Sequence, residues 1–231
     1  MSYFETVLIN DSKVDACVED MKLFIGVAFV IITADSKGNP LLVTSIDSER
    51  KINFFSSSLQ PREDCKTLGQ LAALRLREKT RNMVNLSYRS CFNLYRDVEM
   101  LPGIYQRIYC FKIKGISRST FHDNKKLIDR AHGSKRFVVP PQWHAVDQIT
   151  HLPISWINFG MLVPEHAKPF LALQNIENEK VLIEKKICKF LHASQELIKM
   201  LSHPGADYLP CKVKVHTSKS WTNGTVCHFI D

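Results

Sequence analysis

Residues 59–83 read LQPREDCKTLGQLAALRLREKTRNM, and their reading decides what the rest of the chain builds. Cys65, Leu68, Leu71, Ala72 and Leu76 recur at the spacing of one helical face, while Arg75, Arg77, Lys79 and Arg81 crowd the end. Basic side chains in a last turn suit the negative end of the helix dipole. The stretch predicts an amphipathic helix whose charges are mostly positive.

Working outward, Phe24–Thr33 is a continuous apolar, β-branched run, as expected of a strand buried on both faces. It stops at the turn formers DSKGNP (35–40), and LLVTSI (41–46) follows, so the two runs read as a hairpin. INFFSSSL (52–59) predicts a third strand. Beyond the helix, residues 85–101 and 105–115 have β character and are split by Pro102-Gly103. KKLIDRAHGSKR (125–136) reads as a basic loop or short helix, and residues 138–153 as a short strand entering a turn. Residues 177–201 give a long amphipathic helix with Val181, Ile183, Ile187, Phe190, Leu191, Ile198 and Leu201 on its buried side. CKVKVHT (211–217) and TVCHFI (225–230) read as a terminal hairpin. Strands on both sides of a central helix, then a closing helix, describe an α+β sandwich. The expected division is an N-terminal extension (1–21), one domain (22–201) and a tail (202–231).

With 231 residues, 45% hydrophobic and 23% charged, the chain can bury an ordinary globular core. No apolar run is long enough to span a bilayer, so no membrane association is expected. The N-terminus has no basic region followed by an apolar core, and seven cysteines at irregular spacing suggest free thiols. Both observations predict an intracellular protein, cytoplasmic or nuclear, in which the sequon at Asn223 is silent. The net charge of +8 is unevenly placed. Residues 1–57 carry five basic against eight acidic residues, net −3, whereas 104–136 carry nine basic residues against Asp123 and Asp129, net +7. That concentration favours a polyanionic partner; a solvated basic face without a partner is the plainer alternative.

The order of these pieces resembles the Nudix superfamily. GVAFVIITADSKGNPLLVTS resembles its opening hairpin, FFSSSLQPRED the approach to its helix, LGQLAALRLREKTRN the helix itself and YQRIYCFKIKG a later strand. VVPPQWHAVDQITHL is similar to a family segment in which an aromatic residue precedes a hydrophobic-Asp pair. The resemblance covers roughly residues 22–200. It implies a Nudix-like α/β/α sandwich with a mixed sheet, a long C-terminal helix and, at the end, the β-hairpin.

The family signature, Gly-x5-Glu-x7-Arg-Glu-U-x-Glu-Glu-x-Gly-U with U aliphatic, holds Mg²⁺ against a pyrophosphate through its glutamates. Hard cations need oxygen ligands, and the bound ions neutralise diphosphate charge while activating water. Laid onto this chain, Glu63 takes the loop-glutamate place and Ser57 the loop glycine. Glu78 falls at the first paired glutamate, Lys79 at the second, Arg75 at the remaining helical glutamate, Leu74 at the arginine and Arg81 at the closing glycine. Cations at three of these positions would repel Mg²⁺ by an amount on the order of kcal/mol each. The resemblance implies a box that keeps its helix without its metal chemistry, so no cofactor is expected.

Such a helix would take phosphates directly, by charge and guanidinium contacts. The candidate phosphate- or RNA-binding residues are Arg75, Arg77, Lys79, Arg81, Arg107, Lys112, Lys114, Lys125, Lys126 and Arg130. Tyr105, Tyr109, Phe111, Phe121 and Trp143 are candidate stacking aromatics, with Tyr109 and Phe111 better read as strand core. The expected function is RNA or nucleotide binding, or protein docking within a larger assembly, with a homodimer also open. The alternative is a divergent pyrophosphohydrolase of nucleoside diphosphate derivatives or capped RNA, using Glu63, Asp64 and Glu78 with Mg²⁺ or Mn²⁺. Cys188 with His192, and Cys211, His216, Cys227 and His228 in the tail, lack zinc-site spacing and fit free thiols better.

Overall fold

In a computed structural model of the chain, the apolar run becomes β3 (Lys22–Ala34), the spine to which almost everything else attaches. The structure describes residues 2–9, 12–46, 52–59, 65–80, 84–86, 94–113, 142–145, 176–203, 212–216 and 227–230. The predicted hairpin is present: β4 (Pro40–Ile46) pairs antiparallel with β3 from Ile31↔Val43 to Ala34↔Pro40. Asp35 closes its turn by accepting the Lys37 and Asn39 amides, both at 2.8 Å. The segment predicted as one strand is two, β5 (Ile52–Asn53) on β4 and β6 (Phe55–Ser58) on β3.

Downstream, β8 (Tyr95–Leu101) and β9 (Ile104–Lys112) form an antiparallel pair around Pro102-Gly103, and β9 runs parallel to β3. Before them comes β7 (Val84–Asn85), and after them β10 (Gln142–Ala145) pairs with β4. Because β3 residues 23–32 pair with β9, the strands sharing that stretch of β3 from the other side lie on its opposite edge.

The residues expected as an N-terminal extension join this sheet. β1 (Tyr3–Ile9) and β2 (Ser12–Glu19) form a hairpin, and β2 continues onto β3 through the two-residue turn Asp20-Met21. Both turn residues have left-handed backbone, φ 49° and 62°, which twists well with the strands but normally calls for Asn-Gly. A methionine held there is strained.

Alternation along β3 splits the core in two. Val27, Phe29 and Ile31, with Tyr109 and Phe111 of β9, meet Leu68, Leu71, Ala72 and Leu76 of α1 (Leu68–Lys79). Ala28, Val30 and Ile32, with Ile108 and Cys110, meet Phe190, Leu197 and Ile198 of α2 (Ile176–Ser202) on the other face. The result is an α/β/α sandwich around a mixed sheet, the α+β class expected. Tyr109 and Phe111 are core residues, as their alternation suggested. Cys65 is buried ahead of α1 rather than within it, and Leu197 belongs to the buried stripe of α2 that the periodicity did not single out. In the tail, β11 (Lys212–His216) pairs antiparallel with β12 (Cys227–Ile230), the predicted hairpin, and with β7 on its other side. Residues 125–136 lie outside the described residues.

Candidate functional site

α1 starts where its sequence can satisfy the first amide groups. Thr67 Oγ1 accepts the Gln70 amide at 3.2 Å, and Gln70 Oε1 accepts the amides of Thr67 and Lys66 at 3.0 and 2.6 Å. No acidic residue lies in its first turn. It ends at Thr80, whose Oγ1 donates to the Leu76 carbonyl at 2.8 Å and accepts the Val84 amide at 3.2 Å. The same hydroxyl thus closes the helix and launches β7.

The face away from the core carries the charges of interest. Arg75 Nη1 donates to Glu78 Oε2 at 2.6 Å, an i,i+3 ion pair in which the arginine is mostly buried and the carboxylate more open. The one carboxylate of α1 is thereby neutralised within the helix. Arg77 and Lys79 are exposed. Desolvation around the Lys79 ammonium, and then the Arg75 charge, lower its pKa from the usual lysine value, while Glu78 acts in the opposite direction. Three cations within one turn and a half of helix leave a positive surface with a single, already-engaged negative group.

The remaining predicted residues divide sharply. Arg107 is 5% exposed and is not a surface cation at all. Its Nε and Nη2 donate to the two Asp97 oxygens at 2.7 and 3.1 Å, and its Nη1 donates to Glu19. The rings of Phe24 and Tyr95 lie against it, at 4.6 and 3.9 Å from the guanidinium carbon to each centroid. Lys112 is buried as well. These two residues therefore leave the set of candidate phosphate contacts: both sit on β9, the strand that runs beside β3 through the sheet. A count of basic residues along the chain does not distinguish such positions from surface ones. Glu63, Asp64, Arg81, Lys114, Lys125, Lys126 and Arg130 lie outside the described residues, as does Phe121. Tyr105 is partly buried under Lys22, whose Nζ stands 5.3 Å from its ring centre.

Among the described residues no three His, Cys, Asp or Glu side chains are grouped to hold a metal ion. Cys188 and His192 are exposed on α2, and His192 Nε2 lies 3.7 Å from Glu196 Oε1. Cys17, Cys65 and Cys110 are buried thiols outside any disulfide, and burial pushes Cys17 up to about 11. His216 and Cys227 are register partners in the tail hairpin; Cys211 lies outside the described residues. Sequence reasoning missed the carboxylates Glu19 and Asp97 altogether, because nothing in their local sequence marks them as partners of an arginine 88 and 10 residues away.

No protein-family model and no curated protein matches the chain. Solved structures with a similar course include a Nudix hydrolase from M. smegmatis, RenU, at 8% identity and TM-score 0.37, covering 61% of this chain and 81% of that one. Another is the C-terminal domain of mouse MUTYH, solved with human PCNA, at 13% identity and TM-score 0.36, covering 63% and 89%. Neither likeness transfers a residue role to this chain.

Proposed function

We propose that the chain is a non-hydrolysing binding module of Nudix type, in which the surface of α1 takes the phosphates of RNA. The observation that carries this reading is the Arg75–Glu78 pair: the only carboxylate on the helix is held by a guanidinium, with Arg77 and Lys79 beside it. A divalent cation approaching that surface meets three positive charges before it meets an oxygen ligand. A phosphate chain meets donors instead, and gains by releasing its own counterions.

Binding of a short oligoribonucleotide, followed by fluorescence anisotropy, tests this. Affinity falls steeply between 50 and 200 mM salt, by the order of tenfold per pair of phosphates engaged. The double change Arg77→Glu and Lys79→Glu weakens binding by about tenfold or more at low salt, since each reversal replaces an attraction with a repulsion. A hydrolysis assay with Mg²⁺ or Mn²⁺ on nucleoside diphosphate derivatives and capped RNA runs alongside. Metal-dependent turnover that Glu78→Ala abolishes would overturn the proposal and make the helix an active site.

A further inference from the structure

The strands that bound the sheet on its two sides are finished differently. β8 pairs with β9 alone among the described residues, and its open edge is blunted. It carries Arg96, Asp97 and Glu99, and its register slips between Glu99 and Leu101. Charges and bulges of this kind discourage a further strand from adding. β1, on the other side, pairs with β2 alone among the described residues. Its sequence YFETVLI holds one charged side chain, Glu5, and neither proline nor glycine. Its register with β2 runs unbroken from Tyr3↔Val18 to Ile9↔Ser12. Tyr3 is 54% exposed, and Glu5 and Thr6 are exposed beside it. An edge strand of this composition has none of the usual devices against pairing.

The turn into β3 fixes which backbone groups of β1 point outward. Asp20-Met21 is a two-residue turn with both φ positive, so the flanking Glu19 and Lys22 exchange hydrogen bonds. Alternation then aims the peptide groups of Cys17 and Asp15 toward β3, and those of Val18, Ala16 and Val14 toward β1. Their register partners Tyr3, Glu5 and Val7 answer them. The N–H and C=O groups of Phe4, Thr6 and Leu8 therefore leave the edge, with no strand among the described residues to receive them. The side chains agree with this assignment. Thr6 Oγ1 donates to Asp15 Oδ1 at 3.0 Å, the close approach of a pair that shares no backbone bond.

From this we infer that β1 is the seam of a homodimer, pairing antiparallel with β1 of a second copy in a register centred on Thr6. The outward residues are symmetric about Thr6, so the strand is its own complement. Phe4 stands opposite Leu8 of the second copy, and Thr6 opposite its own counterpart. Each such pair exchanges two backbone hydrogen bonds, which uses every outward group. Glu5 falls opposite Val7 in this register, whereas centring on Glu5 would set the two carboxylates against each other. The two-fold axis of an antiparallel seam is perpendicular to the sheet, so both copies of α1 lie on one side of a continuous sheet. Ser2 Oγ donates to the Lys66 carbonyl at 3.1 Å, which ties the start of β1 to the approach to α1. The seam itself rests on β1 and β2, and stands or falls separately from the reading of α1.

The test is sedimentation equilibrium of the full chain as wild type, Thr6→Pro and Thr6→Lys, with circular dichroism to check that each is folded. Wild type sediments at twice the single-chain mass at concentrations on the order of 10 μM, a modest affinity for a specific contact. Thr6→Pro removes an outward N–H but leaves the bonds to β2 in place, since proline is tolerated where an edge strand's N–H faces away from its sheet. Thr6→Lys keeps the backbone and sets two ammonium groups opposite each other at the axis. It serves alone if the proline variant does not fold. Each folded variant raises the dimer dissociation constant at least tenfold. A wild type that stays monomeric at that concentration would overturn the inference and leave the edge to water or to a strand of another chain. A dimer that the folded variants keep unweakened would overturn it too, and would place the contact on another surface.

Discussion

Two of the arginine–carboxylate arrangements among the described residues behave oppositely. On α1, Arg75 and Glu78 pair along one helix, three residues apart, with the arginine mostly buried and the carboxylate open to water. On the sheet, Arg107 gathers Asp97 from the neighbouring strand and Glu19 from a distant one, under the rings of Phe24 and Tyr95. The first pair is local and screened at its carboxylate, and loss of that carboxylate changes the electrostatics of a surface. The second links β2, β8 and β9, and its removal costs stability. Burial, not residue type, decides which charges are available to a partner.

The comparison is broken most severely at Arg107. Arg107→Ala leaves Glu19 without its cation and Asp97 with Lys22 alone, and removes a guanidinium that lies against the rings of Phe24 and Tyr95. Breaking a buried pair in this way costs about 3–5 kcal/mol. Urea denaturation monitored by circular dichroism should show that loss, or a chain that no longer folds. A loss under about 1 kcal/mol, the range of exposed pairs, would place Arg107 with the surface arginines and dissolve the contrast.

A smaller effect follows from pH. Desolvation works to raise the Asp97 pKa, but the bonds from Arg107 and Lys22 outweigh it and hold the carboxyl below the usual value. A carboxyl depressed in the folded state stabilises the protein above its unfolded pKa of about 3.9. That stabilisation is lost as pH falls through the folded value. The wild-type urea midpoint should therefore drop as the solution is acidified below about pH 4, and Asp97→Asn, already less stable at neutral pH, should show a flatter acid profile. Parallel profiles would mean that the network contributes nothing through Asp97 ionisation.

Much of this architecture was legible. The β-branched run at 24–33, the turn at 35–40 and the periodicity of α1 and the closing helix are local signals, set by side-chain size and spacing, and they gave the sandwich. The N-terminal hairpin was not legible as part of the sheet. Its strands carry mixed polar and apolar residues, and only pairing of β2 with β3 reveals where they go. The site was half legible for a related reason. The cations of α1 declare themselves by helical spacing, whereas whether Arg107 faces solvent depends on four strands converging, which no window of sequence contains.

The smallest effect belongs to the surface pair, and it sharpens the contrast by its sign. Glu78→Gln removes an exposed i,i+3 partner and should cost no more than about 0.5 kcal/mol. In a chain of this length that is a fall in Tm of about 1–2 °C. The same change removes the only negative charge from the helix, so oligoribonucleotide affinity at low salt should rise, by about two- to threefold for one unscreened charge near the contact. A carboxylate that served as a metal ligand would behave the other way, since its loss would weaken metal-supported binding of a phosphorylated ligand. Anisotropy titrations of wild type and Glu78→Gln with EDTA, then with Mg²⁺, separate the two. A gain in affinity that is indifferent to Mg²⁺ fits a helix that binds phosphate with its own cations, and a Mg²⁺-dependent loss would return Glu78 to a metal site.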